Sequence, residues 1–205
     1  MSKGKLFIVT APSGAGKTTL VTKLVRMDDN LRVSISHTTR PARPGEEDGV
    51  DYYFIEKPEF MGMLSDGDFL ESAEVYGYHY GTSQHWVNQQ LEQGLDVILE
   101  IDWQGAEQIR NLYPDSCAIF ILPPSIESLT ERLQERAQDD SDTIENRMQQ
   151  ARSVIEHVAE ADYVVVNDVF EDALADIRAI VRTQRLTVTI QQENLSQLLS
   201  SLTRD

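Results

Sequence analysis

A single cysteine, Cys117, leaves the chain unable to form an internal disulfide, and its place in the apolar stretch Cys117 to Leu122 marks a buried structural thiol rather than a reactive one. No apolar run approaches the ~20 residues needed to cross a bilayer. The two lysines of the first five residues are followed by an apolar run only from Leu6 to Val9, with no cleavage-like segment, so no signal peptide is expected. These absences predict a reducing cytoplasm and no membrane partner. Basic residues are scarce: 18 Lys and Arg stand against 34 Asp and Glu, and a net charge of −16 repels nucleic acid and anionic lipid. His37, His79, His85 and His157 lack metal-ligand spacing and are assigned no role. No internal repeat or low-complexity segment is present. An anionic substrate held against this field requires the few cations to be gathered in one cleft.

What is present suffices for one core with a small second lobe, since 205 residues carry 40% hydrophobic side chains. Short β-rich runs alternate with helical patterns: Leu6 to Thr10, a helix from about 17 to 27, Arg32 to Ser36, Val97 to Ile101, Ala118 to Leu122 and Tyr163 to Val166. The alternation predicts an α/β fold with a mainly parallel sheet flanked by helices. Continuous apolar runs at 97–99, 119–122 and 164–166 predict strands covered on both faces. Residues 40–93 read differently, with Pro and Gly punctuation, aromatics and strand-like pieces at 52–55 and 69–75, and form an inserted lobe. A helix over about 84–93, capped by Ser83 and stopped by Gly94, returns the chain to the core.

Helical stretches at about 125–137 and 143–157 are split by the polar run 138–142, an arrangement that suits a mobile lid. The second opens with Asp142 three residues before Glu145, like a capping box. A helix over about 170–185 follows. The tail then places Leu195, Leu198, Leu199 and Leu202 at helical spacing, to dock on the core or on another subunit, so a homo-oligomer stays open.

The strand Leu6 to Thr10 runs into Ala11-Pro12-Ser13-Gly14-Ala15-Gly16-Lys17-Thr18-Thr19 and then a helix. This is nearly the G-x-x-x-x-G-K-[ST] phosphate loop in its strand-loop-helix context, with Ala11 in place of the first glycine. Its glycines let backbone N–H groups converge on phosphate oxygens, and the helix turns its positive end toward them. Lys17 is expected on the β and γ phosphates and Thr18 on Mg²⁺. Arg40 and Arg43 flank a proline-containing turn, and two guanidinium forks beside tyrosine hydroxyls suit a doubly charged monophosphate. Glu100 and Asp102 lie two apart at a strand end and point to one side, at the sheet edge where open α/β folds bind ligands. Arg132 and Arg136, four apart on a helix, share a face, and Arg147 opens the next helix.

In the family's order and with similar spacing stand the phosphate loop, Ser34 to Glu46, Gly49 to Phe54, Phe69-Leu70-Glu71, Tyr78 to Thr82, Glu100-Ile101-Asp102 and Val166-Asn167-Asp168. Through these motifs the chain resembles the guanylate kinases from about Lys5 to Arg185. The resemblance implies the phosphate-loop nucleoside monophosphate kinase fold as one domain. Its core would span about 1–36, 94–124 and 158–185, with a GMP-binding lobe at 37–93, a lid at 125–157 and a tail at 186–205. It implies MgATP-dependent phosphorylation of GMP and dGMP in purine nucleotide metabolism.

The same resemblance gives ATP the residues Ala11 to Thr19 and Asn167. It gives the GMP phosphate Arg40, Arg43, Tyr52 and Tyr80, and the guanine Ser36, Glu71, Thr82 and Asp102. Mg²⁺ falls to Thr18 and, through water, to Glu100. Arg132, Arg136 and Arg147 resemble lid arginines that stabilise the transferring phosphoryl group. With Lys17, Arg40 and Arg43 they make six cations assigned to anions. Guanine offers N1–H and a 2-amino group as donors, whereas adenine would leave Glu71 without donors in a desolvated pocket. A non-catalytic protein-interaction module on the same fold, and a kinase for another nucleoside monophosphate, are the alternative readings.

Overall fold

The computed structural model describes residues 3–135 and 141–203, leaving aside the side chains of 135 and 141–147. In chain order the strands are β1 (Leu6–Thr10), β2 (Leu31–Val33), β3 (His37–Thr38), β4 (Tyr53–Phe54), β5 (Phe69–Val75), β6 (Tyr78–Ser83), β7 (Asp96–Glu100), β8 (Cys117–Leu122) and β9 (Tyr163–Val166). The helices are α1 (Lys17–Arg26), α2 (Lys57–Asp66), α3 (Gln84–Glu92), α4 (Trp103–Leu112), α5 (Ile126–Glu135), α6 (Ser141–Glu156), α7 (Phe170–Arg185), α8 (Val188–Asn194) and α9 (Ser196–Leu202).

β1 is buried along its whole length and pairs in parallel with β7 on one side and β8 on the other. With β2 and β9 at the flanks, the main sheet runs β2-β7-β1-β8-β9 and is parallel throughout, as the alternation of elements predicts. Successive side chains of a strand face opposite ways. Phe7 and Val9 therefore pack with Leu20 and Leu24 of α1 and Ile177 and Val181 of α7. Leu6 and Ile8 pack with Val87 and Leu91 of α3 and Ile109 of α4.

β9 departs from the expected cover on both faces. Val165 is in the core, but Val164 and Val166 are each 50% exposed. The strand lies at the sheet edge, and the α3–α4 cluster reaches only as far as Ala118 and Ala161. The second strand also differs from the expected 32–36: it covers Leu31–Val33 and follows β7 for one more bond, Ser34 N–H to the Ile98 carbonyl. From His37 the chain joins a second sheet, β4-β3-β6-β5, in which β3–β4 is parallel and the other pairings antiparallel. That sheet carries α2, which periodicity does not announce because Phe60 alone of its residues is buried. Asp102, expected at a strand end, is instead the N-cap of α4, whose first turn it bonds through Gly105 N–H at 2.9 Å.

α5 and α6 meet through Leu129, Leu133, Met148 and Ala151. At the end of α6, His157 stacks on Trp103 with centroids 3.9 Å apart, tying the helix pair to the start of α4. The tail leucines do not dock on the core: Leu198 is 50% and Leu202 72% exposed. No described helix is long and apolar enough to cross a membrane. The lone Cys117 is buried, and desolvation pushes its thiol up to about 12.

Arg185 closes the core at the end of α7 by pairing with Asp28 after α1 and Asp96 at the start of β7. Asp96 is nearly buried and also accepts the Lys5 N–H. Burial opposes ionisation of Asp28, but the Arg185 hydrogen bond holds its pKa below 3.8, so this contribution to stability is lost as pH falls through that range. Arg185→Leu is expected to cost ~2 kcal/mol at neutral pH, a fall in Tm of about 4 °C or more. Thermal denaturation checks this, and an unchanged midpoint would remove the clasp from the account.

Candidate active site

The phosphate loop emerges from β1 and enters α1 at Lys17. Gly14 and Gly16 have φ of 90° and 93°, a region where a Cβ is strained. Gly16 also leaves room for the Asn167 amide, which donates to the Ala15 carbonyl at 2.7 Å and ties β9 to the loop. Ala11 needs no glycine, because Tyr76 is the only described non-glycine residue with positive φ.

The register of β1 against β7 sets Val9 opposite Glu100, and this brings the loop beside the acids of β7. The Thr18 hydroxyl donates to Glu100 Oε2 at 2.9 Å, and Lys17 Nζ donates to the Ile101 carbonyl at 3.2 Å. Desolvation lowers the Lys17 pKa, and the charges of Glu100, Asp102 and Glu71 oppose that shift. Burial raises that of Asp102, against the Gly105 N–H and Lys17.

Across a cavity of about 460 Å³, the second sheet and its loops supply Ser36, Arg40, Arg43, Tyr52, Glu71 and Tyr80, facing Gly14, Gly16, Lys17, Thr18, Glu100 and Asp102. Ala11, Pro12 and Ser13 also line it. Thr19 is exposed beside it, while Ala15, Thr82, Arg132 and Asn167 are absent from the lining. Arg132 donates to the Asn167 carbonyl at 3.0 Å, which stations it against the loop, and its second terminal nitrogen is buried without a partner among the described residues. Arg136 lies outside the described residues, as does the side chain of Arg147.

The arginine turn is closed by a residue to which the sequence attached no role. Glu46 receives both terminal nitrogens of Arg40, at 2.8 and 2.9 Å, and the Arg43 N–H at 2.7 Å. Burial opposes both charges, yet the pair holds Glu46 below and Arg40 above its ordinary pKa. Arg40 also lies over the Tyr52 ring at 5.3 Å, and Tyr52 meets Tyr80 edge-on. Desolvation pushes the Tyr52 hydroxyl up to about 12, so it stays a hydrogen-bond donor. The only sequence signal for Glu46 is an acid six residues beyond Arg40 across two prolines.

Glu71 is 4% exposed and accepts the Thr82 hydroxyl at 2.5 Å. Burial, then the charge of Asp102, push its carboxyl up to about 7, against the pull of Thr82 and Lys17. The described residues contain no group of three or more His, Cys, Asp or Glu able to hold a metal. The oxygens of Thr18 and Glu100, 2.9 Å apart beside the phosphate loop, would fit a cation that takes its remaining ligands from phosphate and water.

A family model described as guanylate kinase matches residues 3–184. The chain is 59% identical over 184 residues to the guanylate kinase of Methylobacillus flagellatus, covering 90% of this chain and 91% of that one. It is 53% identical over 202 residues to that of Coxiella burnetii, covering 98% of both. The crystal structure of guanylate kinase from Anaplasma phagocytophilum superposes with a TM-score of 0.79 at 32% identity, over 95% of this chain and 94% of that one.

The raised Glu71 pKa has a consequence for stability. Between 4.5 and about 7 the folded chain keeps a proton that the unfolded chain releases, so stability falls as pH rises through this window. Glu71→Gln removes the buried charge and keeps an acceptor for Thr82. Its Tm is expected above that of the parent at about pH 8, with the gap narrowing toward about pH 5.5. Scanning calorimetry across this range checks it, and a gap independent of pH would contradict it.

Proposed function

The chain belongs to the guanylate kinase family, and from that premise we propose that it transfers the γ-phosphoryl group of ATP in line to a phosphate oxygen of GMP or dGMP, releasing ADP and GDP or dGDP. The observation that carries this reading is one continuous cavity with the phosphate loop on one wall and Arg40, Arg43, Tyr52, Tyr80 and Glu71 on the other.

Residues 37–93 serve as the monophosphate lobe, the helix pair within 125–157 as the lid, and the main parallel sheet with its helices as the core. Backbone N–H groups from Ala11 to Thr19 hold the triphosphate of ATP at the positive end of α1. Lys17 spans the β and γ phosphates, and Asn167 fixes the loop from behind. Arg40 and Arg43 clamp the GMP phosphate, with the Tyr52 and Tyr80 hydroxyls as further donors. Glu71, ionised on binding, accepts N1–H and the 2-amino group of guanine. Ser36 and Thr82 serve the O6 side, and Asp102 borders the base.

A monophosphate dianion is itself the nucleophile, so no general base is needed and the histidines take no part. Thr18 directly and Glu100 through water would hold Mg²⁺, whose chemistry is to neutralise charge on the β and γ oxygens. Arg132, Arg136 and Arg147 neutralise the transferring group when the lid closes, and closure excludes water as a competing acceptor. The lone buried thiol and the strongly acidic surface support a reducing cytoplasm and no nucleic-acid partner.

Lys17→Ala is expected to cut turnover by about 100-fold or more while GMP binding stays measurable, as followed by coupled ADP release and calorimetric titration. Near-normal turnover would refute the phosphate-loop role. In the same assay GMP and dGMP should be turned over well ahead of AMP and UMP, and a preference for AMP would refute the Glu71 assignment.

A further inference from the structure

We infer that Gly105 is a specificity-determining residue: its missing side chain is the seat that holds the Glu71 carboxylate in its guanine-reading position. The inference rests on Glu71 as the reader of the base. Gly105 is buried in the first turn of α4, and its φ lies outside the left-handed region. The backbone therefore gives no reason for glycine, and alanine would favour the helix.

Steric contact gives the reason. A Cβ at this position would fall less than 3.0 Å from Glu71 Oε2, 3.1 Å from Glu71 Cδ and 3.4 Å from Asp102 Oδ1. The backbones of β5 and α4 are held in place, whereas the Glu71 carboxylate borders the open cavity. On the strand side, Glu71 is paired with Thr82 across β5 and β6, and its Oε1 is bound to the Thr82 hydroxyl at 2.5 Å. On the helix side, Asp102 caps Gly105 N–H at 2.9 Å, and Ala106 and Ile109 are fixed in the core. One turn on, Gln108 clasps the neighbour of Glu71, donating to the Ser72 carbonyl at 2.8 Å and accepting its N–H at 3.2 Å. With α4 fastened to β5 at this point, an added methyl is relieved by displacing the carboxylate.

Gly105→Ala in the full chain tests the inference, with kcat and KM for GMP and AMP, KM for ATP and the Tm all measured. Expected are a rise in KM for GMP of roughly tenfold or more and a similar loss of GMP-over-AMP preference, with KM for ATP and Tm preserved. The double variant Glu71→Asp, Gly105→Ala supplies the rescue. A shorter acid clears the new methyl, so the double variant should bind GMP better than Gly105→Ala alone, although Glu71→Asp by itself weakens binding. Should Gly105→Ala fail to fold, recovery of folding in the double variant carries the same meaning, and failure of both overturns the inference.

Glu71→Gln, measured alongside, separates the two levels. If it keeps the preference for GMP, the reading of Glu71 fails and the inference with it. If it loses that preference while Gly105→Ala keeps the parent's KM and preference, the Glu71 reading stands and this inference alone is overturned.

Discussion

The double pairing of β1 is the constraint on which the site depends. Hydrogen bonded in parallel to β7 and β8 and buried on both faces, the strand cannot slip by a residue without turning Phe7 and Val9 out of one helix layer and Leu6 and Ile8 out of the other. The fixed register delivers the phosphate loop and Glu100 to the same sheet edge, where Thr18 and Glu100 touch. Asp102 follows two residues later at the head of α4. Glu100 is brought to the loop by a hydrophobic register rather than by attraction between charges.

The cavity lining that results is costly in electrostatic terms. Lys17, Glu71 and Asp102 are all desolvated and held away from their ordinary pKa values; Lys17 and the two acids restrain one another's shifts, while the charge of Asp102 adds to the shift of Glu71. Arg40 is nearly buried and has its charge matched by Glu46 across a closed turn. Such groups weaken the fold and suit a ligand that brings its own donors and charges. A chain with a net charge of −16 thus concentrates its usable cations where the protein itself has begun to neutralise the surrounding acids.

Much of this was legible along the chain because the signals are local. The parallel sheet follows from apolar runs alternating with helical patterns, and β5 and α7 fall where composition puts them. The loop glycines sit where the backbone needs positive φ. Elements that bury little apolar surface were not legible: α2 inserts only Phe60, and the edge strand β9 reads like a central strand because valines have no means of recording which neighbours are absent. Asp102 reads as part of a strand until its role as a helix cap is seen.

By itself the sequence determined the chemistry on offer: a loop built for phosphate, two arginines beside tyrosines, a carboxylate on a strand, and no thiol or histidine arrangement for covalent catalysis. Tertiary structure alone decided which of those groups meet. The bond from Thr82 to Glu71, the stack of His157 on Trp103 and the seating of the Glu71 carboxylate over Gly105 join residues whose contact depends on how strands and helices come together. The physical reason is that propensity and periodicity act over a few residues, whereas these contacts are set by packing between elements.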